Sequence, residues 1–499
     1  MILALNFAGV YYWLDIESLW IDELFTAYFA DPMQTTISQV FRRSLEDVHP
    51  PVYYLITWMT TRLTGIEFTI AARGQSALFS ILALVIVYRS FPAYVNAFAR
   101  LFSLAAAATS FSWFNFAVDA RSYGLVFIIG ALFALVGLRI FYSINRHNIR
   151  FSSLCMIVVL GLLGSLIHYY LLLLAGGVVG MLLLCSRDWY QRGALVLTGL
   201  AILIPVAVFI KWHAGYIVLD VENTWFSVEL AFLKSSISAG FAMMFGTPLH
   251  RILMIGIFAG SIFAYLLSTK TKQPDNEVVK TYLFVIGCFL APIILGLVIS
   301  IIYVPVFSER VFTVVMPFYW VLVGMVTHSL FARLPNKLAV GAKTMSILAL
   351  LIVSVTRFYE HGLPSKENWR DSAAAIEKMD RCKGEIIPVV GFAEPVTTVD
   401  NIYYTYGYYL ANRKQSDWLK LPSVSQFSHL IHTPYPELVQ TRMSDEKRCP
   451  VLLWSVHHLE KPHIEMIVAG IVKQHQPPKG RSIIIREWDR HTFIVMLQE

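Results

Sequence analysis

Charged residues are scarce in this sequence. Asp, Glu, Lys and Arg make up 15% of its 499 residues, hydrophobic residues make up 56%, and the mean hydropathy is +0.59. The length alone would suggest two or three soluble domains, but a soluble fold cannot bury so many apolar runs. Several runs approach the roughly 20 residues that cross a hydrocarbon core as a helix. The composition therefore predicts a polytopic α-helical membrane protein.

Cysteine is also rare, and the five cysteines show no metal-binding spacing. Cys155, Cys185 and Cys288 lie in apolar runs, where they are expected to be small core residues. Cys382 and Cys449 lie in the polar C-terminal part, which the topology below places outside the cytoplasm, where a disulfide can persist. We therefore hypothesise that these two cysteines pair.

A basic stripe with interleaved aromatic residues is missing as well, although 40 Lys and Arg against 33 Asp and Glu give a net charge of +7. The basic residues lie between the apolar runs, as in a membrane protein that follows the positive-inside rule. This distribution argues against nucleic acid as a partner. The expected partner of most of the surface is the lipid bilayer.

The apolar runs predict about eleven transmembrane helices. The first, "MILALNFAGVYYWL", is short, and it lacks the basic start and the small-residue cleavage site of a signal peptide, so we interpret it as a shortened first helix. The predicted spans are 1–14, 69–90, 97–117, 120–142, 152–168, 169–185, 194–212, 251–269, 281–303, 311–330 and 341–357.

The connectors between these spans alternate in charge. Basic residues concentrate in five of them, which are therefore predicted to be cytoplasmic: 89–100, 145–150, 186–192, 270–280 and 332–337. The acid-rich loop 15–68 and the loop 213–250 should face the other side. This alternation holds only if the apolar segments 50–65 and 228–249 are surface elements and not additional spans.

A change to mixed polar sequence near residue 358 predicts a C-terminal α/β domain, 358–499, after the membrane domain 1–357. Alternating residues in 482–498 predict a hairpin that turns at 489–491. Ser365 or Asn368 is a candidate N-cap for a helix, and the stretch 384–392 is strand-like.

Unusual polar residues gather on the predicted outer face. They occur in "SLWIDELFTAYFADP" (Asp22, Glu23), "EDVHPPVYY" (His49), "FNFAVDARSYGL" (Asp119, Arg121, Tyr123), "IHYY" (His168) and "YVPVFSERVFTVVMP" (Glu309, Arg310). Ionisable groups at a membrane interface are costly and usually have a function or a partner. Carboxylates with Arg and His suit transfer from a phosphate leaving group, because an acid can accept a hydroxyl proton while cations neutralise the departing phosphate.

Most of these residues also have a structural alternative. The acids Asp22 and Glu23 can cap an interfacial helix. The connector residues Asp119 and Arg121 can form an ion pair that closes a turn. The remaining alternatives are a loop residue for His49, an interfacial anchor for His168 and a local pair with Glu309 for Arg310.

The ordered motifs "SLWIDELFT", "HPPVYYLITWMTTRLTG", "AARGQSALFSILALVIVYR", "FNFAVDARSYGL", "IHYYLLLLA", "FSERVFTVVMPFYWVLVG" and "NWRDSAAAI" resemble the GT-C superfamily of polytopic glycosyltransferases. The similar branch contains the protein O-mannosyltransferases, the lipid A aminoarabinose transferases and the bacterial galacturonic-acid-type transferases. The resemblance covers most of residues 1–380. It implies a GT-C-like membrane domain with a C-terminal soluble domain.

The resemblance further implies an inverting transfer of a hexosyl or pentosyl group from a polyprenyl-phosphate donor. It makes Asp22 the general base and Glu23 its neighbour in the family's acidic pair. Asp119 stands near a second acidic position of the family, and His49 and Arg310 match positions regarded as polar or phosphate-binding. Arg121, Tyr123 and His168 complete the predicted donor site.

The acceptor implied by the resemblance is an envelope glycan, a lipid or a protein. The expected location is a bacterial inner membrane, with the active site and the C-terminal domain outside the cytoplasm. No resident cofactor is indicated, and a divalent cation stays an open alternative. A transporter or flippase of a lipid-linked saccharide is the competing function, but the internal repeats typical of transporters are not evident in the sequence.

Overall fold

The computed structural model describes residues 1–144, 149–216, 227–268, 276–361, 366–385, 388–389, 404–410, 443, 448–457, 459–474, 476–477 and 479–498. Contacts between these residues divide them into two compact units. The first unit comprises 1–14, 36–216 and 227–361, and the second comprises 15–35 and the described residues from 366 onward.

Helices dominate the first unit. The first eight helices of the chain include one, α2, that belongs to the second unit. In chain order they are α1 (Ile2–Trp13), α2 (Ile21–Ala30), α3 (Ile37–Ser44), α4 (Val52–Thr64), α5 (Phe68–Ser90), α6 (Ala97–Ala108), α7 (Phe111–Ala117) and α8 (Tyr123–Ile144). The helices that follow are α9 (Phe151–Ser165), α10 (Tyr170–Cys185), α11 (Trp189–His213), α12 (Leu230–Met243), α13 (Pro248–Ser268), α14 (Asn276–Ile302), α15 (Val311–Arg333) and α16 (Asn336–His361).

The predicted polytopic membrane architecture is confirmed. Among the described residues, seven helices are long and apolar enough to cross a membrane, namely α5, α8, α11, α13, α14, α15 and α16. Five shorter apolar helices, α1, α6, α9, α10 and α12, accompany them. Each predicted span overlaps at least one of these apolar helices, so the chain is an integral membrane protein.

One predicted span is divided. The prediction treated 97–117 as a single helix, but α6 ends at Ala108 and α7 begins at Phe111. The Oγ1 of Thr109 donates to the carbonyl of Ala105 at 3.0 Å, and the Oγ of Ser110 accepts the N–H of Trp113 at 3.3 Å. These hydroxyls satisfy backbone groups at the break, so the helix can end and restart within a buried region.

Helix α8 packs closely against two neighbours because small residues face them. A Cβ added to Gly124 would lie 2.5 Å from the carbonyl oxygen of Ser76 in α5. A Cβ on Gly130 would lie 3.0 Å from the carbonyl oxygen of Val314 in α15. Small residues at such contacts let helix backbones approach, which is how membrane helices pack without a hydrophobic driving force between them. These contacts bring the backbones of α5 and α15 close to that of α8.

The second unit contains α2 and a small α/β fold. Its other elements are α17 (Trp369–Glu377), β1 (Pro388–Val389), β2 (Val451–Val456), α18 (Lys461–Gln474), β3 (Ser482–Asp489) and β4 (Thr492–Gln498). The sheet order is β1-β2-β4-β3, with β1 parallel to β2 and the other neighbours antiparallel. The predicted C-terminal hairpin is therefore confirmed.

Two further predictions about the second unit hold. Asn368, one of the two proposed N-caps, precedes α17, and its Oδ1 accepts the N–H of Asp371 at 3.0 Å. Cys382 and Cys449 form a disulfide. Of the strand predicted at 384–392, β1 is described, and residues 386–387 and 390–392 lie outside the described part of the chain.

Residues 15–35 have their contacts with the C-terminal part of the chain. The Oε2 of Glu367 accepts the N–H of Ile21 at 3.2 Å, and the hydroxyl of Tyr404 donates to Asp31 Oδ2 at 3.3 Å. This grouping differs from the predicted division into 1–357 and 358–499, because polar contacts between residues distant in sequence join this loop to the soluble fold. The predicted division itself stays a prediction.

Candidate active site

The candidate site includes a hydrogen-bonded acid, Asp47, in the loop between α3 and α4. The Oδ2 of Asp47 accepts the hydroxyl hydrogen of Tyr54 at 2.5 Å and lies 3.2 Å from the Nδ1 of His49. An ionised carboxylate only accepts, so this pairing places a proton on the Nδ1 of His49. Two features hold the shape of this loop. Pro50 and Pro51 directly precede α4. The N–H of Val52, the first residue of α4, donates to the carbonyl of Leu166 at 3.2 Å.

The surroundings of Asp47 keep it ionised. Burial raises its pKa, but this effect is outweighed by the charge of His49, by hydrogen bonds from His49 and Tyr54, and by the charge of Arg121, which together lower the pKa to about 2. Burial, with the charge of Asp47, raises the pKa of Tyr54 well above its ordinary value, so Tyr54 stays a donor. The loop therefore presents a fixed negative charge behind the His49 ring.

The connector between α9 and α10 contributes a neutral histidine. The Nδ1 of His168 accepts the N–H of Tyr170 at 3.3 Å, so the ring proton lies on Nε2. Burial lowers the pKa of His168 well below its ordinary value, and the charges of His49, Arg310 and Arg121 lower it further. The Nε2 is buried and has no hydrogen-bond partner among the described residues. An unsatisfied buried donor calls for an explanation, and a bound ligand oxygen would supply one.

Aromatic rings surround this histidine. The His168 ring centroid lies 5.6 Å from that of His49, 6.4 Å from that of Tyr123 and 4.9 Å from that of Tyr170. The hydroxyl of Tyr170 donates to the carbonyl of Val306, next to the start of α15. The connectors before α4, before α8, before α10 and before α15 therefore meet at one place in the first unit.

Two arginines act on the same group of residues. Arg121 is 6% exposed, and its carbonyl accepts the hydroxyl of Ser76 at 3.1 Å, which anchors the connector between α7 and α8 to α5. Arg310 is the residue that immediately precedes α15, and its backbone N–H donates to the Oγ of Ser308 at 3.3 Å. Both charges depress the pKa of His168, so both guanidinium groups lie within electrostatic range of this ring.

The structure thus brings together five of the predicted site residues, His49, Arg121, Tyr123, His168 and Arg310. Asp119 is buried in the same connector as Arg121, and its catalytic role stays a prediction. Sequence reasoning missed Asp47 and Tyr54 as members of the site. The signal was present, because both belong to the stretch "EDVHPPVYY" that singled out His49.

Another histidine, His213, joins the connector that holds His168 to the loop that holds Asp47. The hydroxyl of Tyr169 donates to the Nδ1 of His213 at 2.5 Å, and the Nε2 of His213 donates to the carbonyl of Leu45 at 3.1 Å. His213 ends α11 and is fully buried. These two bonds tie the connector that holds His168 to the loop that holds Asp47, so the two histidine-bearing segments are fixed to a common support.

The predicted acidic pair lies in the second unit, in the first turn of α2. Glu23 is fully buried, and its Oε2 accepts the N–H of Trp20 at 3.2 Å and lies 3.1 Å from the Nζ of Lys366. This is the geometry of the capping alternative. Asp22 is partly exposed on the same turn. The predicted catalytic roles of both acids stay predictions.

Metal ligands are not clustered in the described part of the chain. Among the described residues, no three or more His, Cys, Asp or Glu side chains form a group that could hold a metal ion. The arrangement of the first unit instead combines two guanidinium groups, a neutral imidazole donor and a second imidazole oriented by a carboxylate. Such a set can bind a phosphate and stabilise charge that develops on it.

Comparison with solved structures finds a fold that matches this chain along its length. The crystal structure of ArnT from Cupriavidus metallidurans bound to undecaprenyl phosphate aligns with a TM-score of 0.54 and 13% sequence identity, covering 99% of this chain and 97% of that one. The apo structure of the same protein aligns with a TM-score of 0.44 and 13% identity over the same shares. No protein-family model and no curated protein sequence matches the chain. The chain therefore has an ArnT-like fold, which confirms the predicted fold class, a polytopic helical membrane domain followed by a soluble α/β domain.

Proposed function

We propose that this protein is an inverting glycosyltransferase that uses a polyprenyl-phosphate-linked sugar as donor. The observation that carries the proposal is the buried Nε2–H of His168, which lacks a partner among the described residues and lies within electrostatic range of Arg121 and Arg310. A phosphate oxygen satisfies this donor, and the two guanidinium groups match its charge. The ArnT-like fold, in a protein solved with undecaprenyl phosphate, supports the same class of ligand.

The proposed reaction is a single displacement. The acceptor oxygen bonds to the anomeric carbon, the bond from that carbon to the phosphate oxygen breaks, and the acceptor proton passes to a general base. Negative charge grows on the departing polyprenyl phosphate. Arg121, Arg310 and the neutral His168 stabilise that charge, and they do so without reorganisation because the surrounding connectors already hold them in place.

Asp47 and His49 have a supporting part in this proposal. The carboxylate fixes the tautomer and the orientation of the His49 ring, so that its Nε2 is presented in a defined direction. Tyr54 keeps the carboxylate in position through its own hydrogen bond. His49 is therefore proposed to contact the donor phosphate or the sugar.

The general base proposed from the resemblance is Asp22. Replacement of Asp22 by Asn removes the basic oxygen with little change in size. Cells that lack the native gene and carry D22N should contain the folded protein but no transferred sugar, as measured by mass spectrometry of envelope glycolipids and glycoproteins. The control is D15N, which changes an exposed acid of the same unit. Full transfer by D22N contradicts the assignment of the base.

The products separate this function from the transport of a lipid-linked saccharide. A transferase releases polyprenyl phosphate in proportion to glycosylated acceptor, whereas a transporter moves an unchanged lipid across the membrane. Purified protein in vesicles with a labelled lipid-linked sugar should release polyprenyl phosphate only when an envelope extract supplies the acceptor. Relocation of intact lipid without release contradicts the proposal.

The proposed location is a bacterial inner membrane, with the second unit outside the cytoplasm. The disulfide between Cys382 and Cys449 supports the assignment of the second unit, because disulfides persist in oxidising compartments. The acceptor is proposed to be an envelope glycan, a lipid or a protein. The sugar is proposed to be a hexose or a pentose.

A further inference from the structure

A cavity of about 510 Å³ lies in the first unit, away from the connectors that form the candidate active site. Its walls are the end of α5, the connector between α5 and α6, the end of α8 and the first turn of α14. Arg89 and Arg139 line it from two different helices. Its volume falls within the range of small-molecule sites, which is roughly 300–1,000 Å³.

Hydrogen bonds make the polar wall of this cavity rigid. The Nε of Arg100 donates to the carbonyl of Val95 at 2.8 Å, and its Nη2 donates to the carbonyl of Pro92 at 3.0 Å. These bonds hold the connector that contributes Tyr94 to the lining. On the opposite side, the hydroxyls of Tyr142 and Thr281 lie 3.1 Å apart and join α8 to α14. The cavity is therefore preformed.

The floor of the cavity is apolar. Phe91, Leu135 and Leu138 line it, and the ring of Phe91 packs directly on the backbone of α15 at Gly324, where an added Cβ would lie 2.3 Å from the ring. Acyl or glycerol carbons would find favourable contacts here, whereas a free inorganic anion would gain nothing from these side chains. The lining therefore suits an amphipathic ligand.

The charge of the mouth favours an anion. Arg89 and Arg139 are exposed, and within the described residues neither guanidinium group forms an ion pair or a hydrogen bond. Glu277 also lines the cavity, so two arginines and one glutamate leave one net positive charge. Arginines at helix C-termini also complement the helix dipole, but that role does not require two helices to direct them toward one cavity.

We propose that this cavity binds an anionic glycerophospholipid, with Arg89 and Arg139 on the headgroup phosphate and the glycerol region on the apolar floor. The cavity opens where α5 and α8 end and α14 begins, and these three helices are long and apolar enough to cross a membrane, so its mouth lies at headgroup depth. Basic pockets between the ends of spanning helices are a known way in which membrane proteins hold anionic lipids. This site is independent of the proposed transfer reaction.

The test uses the purified full-length protein and native mass spectrometry, so its readout is bound lipid and not activity. The protein is incubated with dioleoyl phosphatidylglycerol or with dioleoyl phosphatidylethanolamine, which differ in net charge. We expect retention of phosphatidylglycerol by the wild type and a loss of affinity of about thirtyfold in R89Q/R139Q. The matched control is R150Q/R187Q, which removes two exposed arginines from the same predicted face outside the cavity.

The proposal would be overturned by equal retention of the two lipids, by unchanged retention in R89Q/R139Q, or by an equal loss in R150Q/R187Q. Inorganic phosphate in large molar excess should leave phosphatidylglycerol bound, and its displacement by phosphate would assign the cavity to a soluble anion. Monodispersity and an unchanged thermal transition of R89Q/R139Q confirm that its fold is intact.

Discussion

The Nζ of Lys366 lies 3.1 Å from the Oε2 of Glu23, and the Glu23 side chain is completely buried. The same oxygen accepts the N–H of Trp20, so one carboxylate both starts α2 and joins it to the segment that leads into α17. The neighbouring Glu367 accepts the N–H of Ile21 and lies 2.5 Å from the Nδ1 of His457. The turn that carries Asp22 is thus held by residues of the C-terminal part of the chain.

Replacement of Glu23 by Ala should destabilise the second unit by about 3 kcal/mol, because it removes the carboxylate from a buried ion pair and uncaps α2. The measurement is the thermal transition of the detergent-solubilised protein. D15A is the control, since it breaks the exposed pair with Arg370 and should cost less than about 1 kcal/mol. Equal effects of E23A and D15A would show that burial of the pair contributes nothing.

The neutral donor of His168 gives a prediction about turnover. Replacement of His168 by Phe removes the Nε2–H and should lower the release of polyprenyl phosphate by roughly tenfold to a hundredfold, the value of a hydrogen bond to a charged group. H168N restores an N–H donor and should recover part of the activity. The assay is the rate of polyprenyl phosphate release from a labelled lipid-linked sugar. Wild-type activity in H168F would remove this residue from the site.

The histidine also gives a prediction about pH. Because the folded pKa of His168 is lowered well below its unfolded value of about 6.5, only the unfolded state takes up this proton as the pH falls below about 6.5, and stability then decreases by up to roughly 1.4 kcal/mol per pH unit.

Asp47 behaves differently. Its folded pKa of about 2 lies below the unfolded value of about 3.9, so its contribution is complete above about pH 4 and is lost only as the pH falls toward 2.

Between pH 7.5 and 5 the wild type should therefore lose thermal stability through His168, and H168F should lose less. The comparison of the two transition temperatures across this range is the measurement. A slope that is identical in H168F and the wild type would contradict the assignment of a neutral His168.

Helix packing gives a prediction that does not depend on function. Gly124→Ala should destabilise the first unit by about 1–3 kcal/mol, because the new Cβ would lie 2.5 Å from a backbone carbonyl that cannot rotate away. Gly180→Ala, in α10, has no atom within 4 Å of its Cβ and should be neutral or slightly stabilising. Thermal transitions of the two variants check this difference. The prediction fails if Gly124→Ala is tolerated as well as Gly180→Ala.

Much of the fold could be predicted from the sequence because the relevant physics is local. About twenty consecutive apolar residues identify a spanning helix wherever they occur, alternation identifies the hairpin of β3 and β4, and Asn368 carries the cap of its own helix. The break between α6 and α7 could not be predicted. Both pieces are apolar, and the hydroxyls that end and restart the helix are common within membrane helices.

The site was predictable only in part. Polar residues next to spans identified His49, Arg121, Tyr123, His168 and Arg310, since any ionisable group at that depth is conspicuous. Their relationships were not predictable, because the state of His168 depends on a backbone N–H and on charges from three other connectors. Asp47 was overlooked for the same reason, as its bond to Tyr54 forms only when the loop folds back on α4.

Asp22 and Glu23 show where the sequence stops being informative. By itself the sequence determined that two adjacent acids follow a short apolar helix. The resemblance ranked Asp22 as the base, but neither it nor the sequence shows which of the two side chains is buried. Neighbouring residues on a helix point about 100° apart, so one side chain can be buried while the next stays accessible. Only the tertiary structure decided that Glu23 is the one directed at Lys366, because the lysine comes from a segment hundreds of residues away that folding brings to the start of α2.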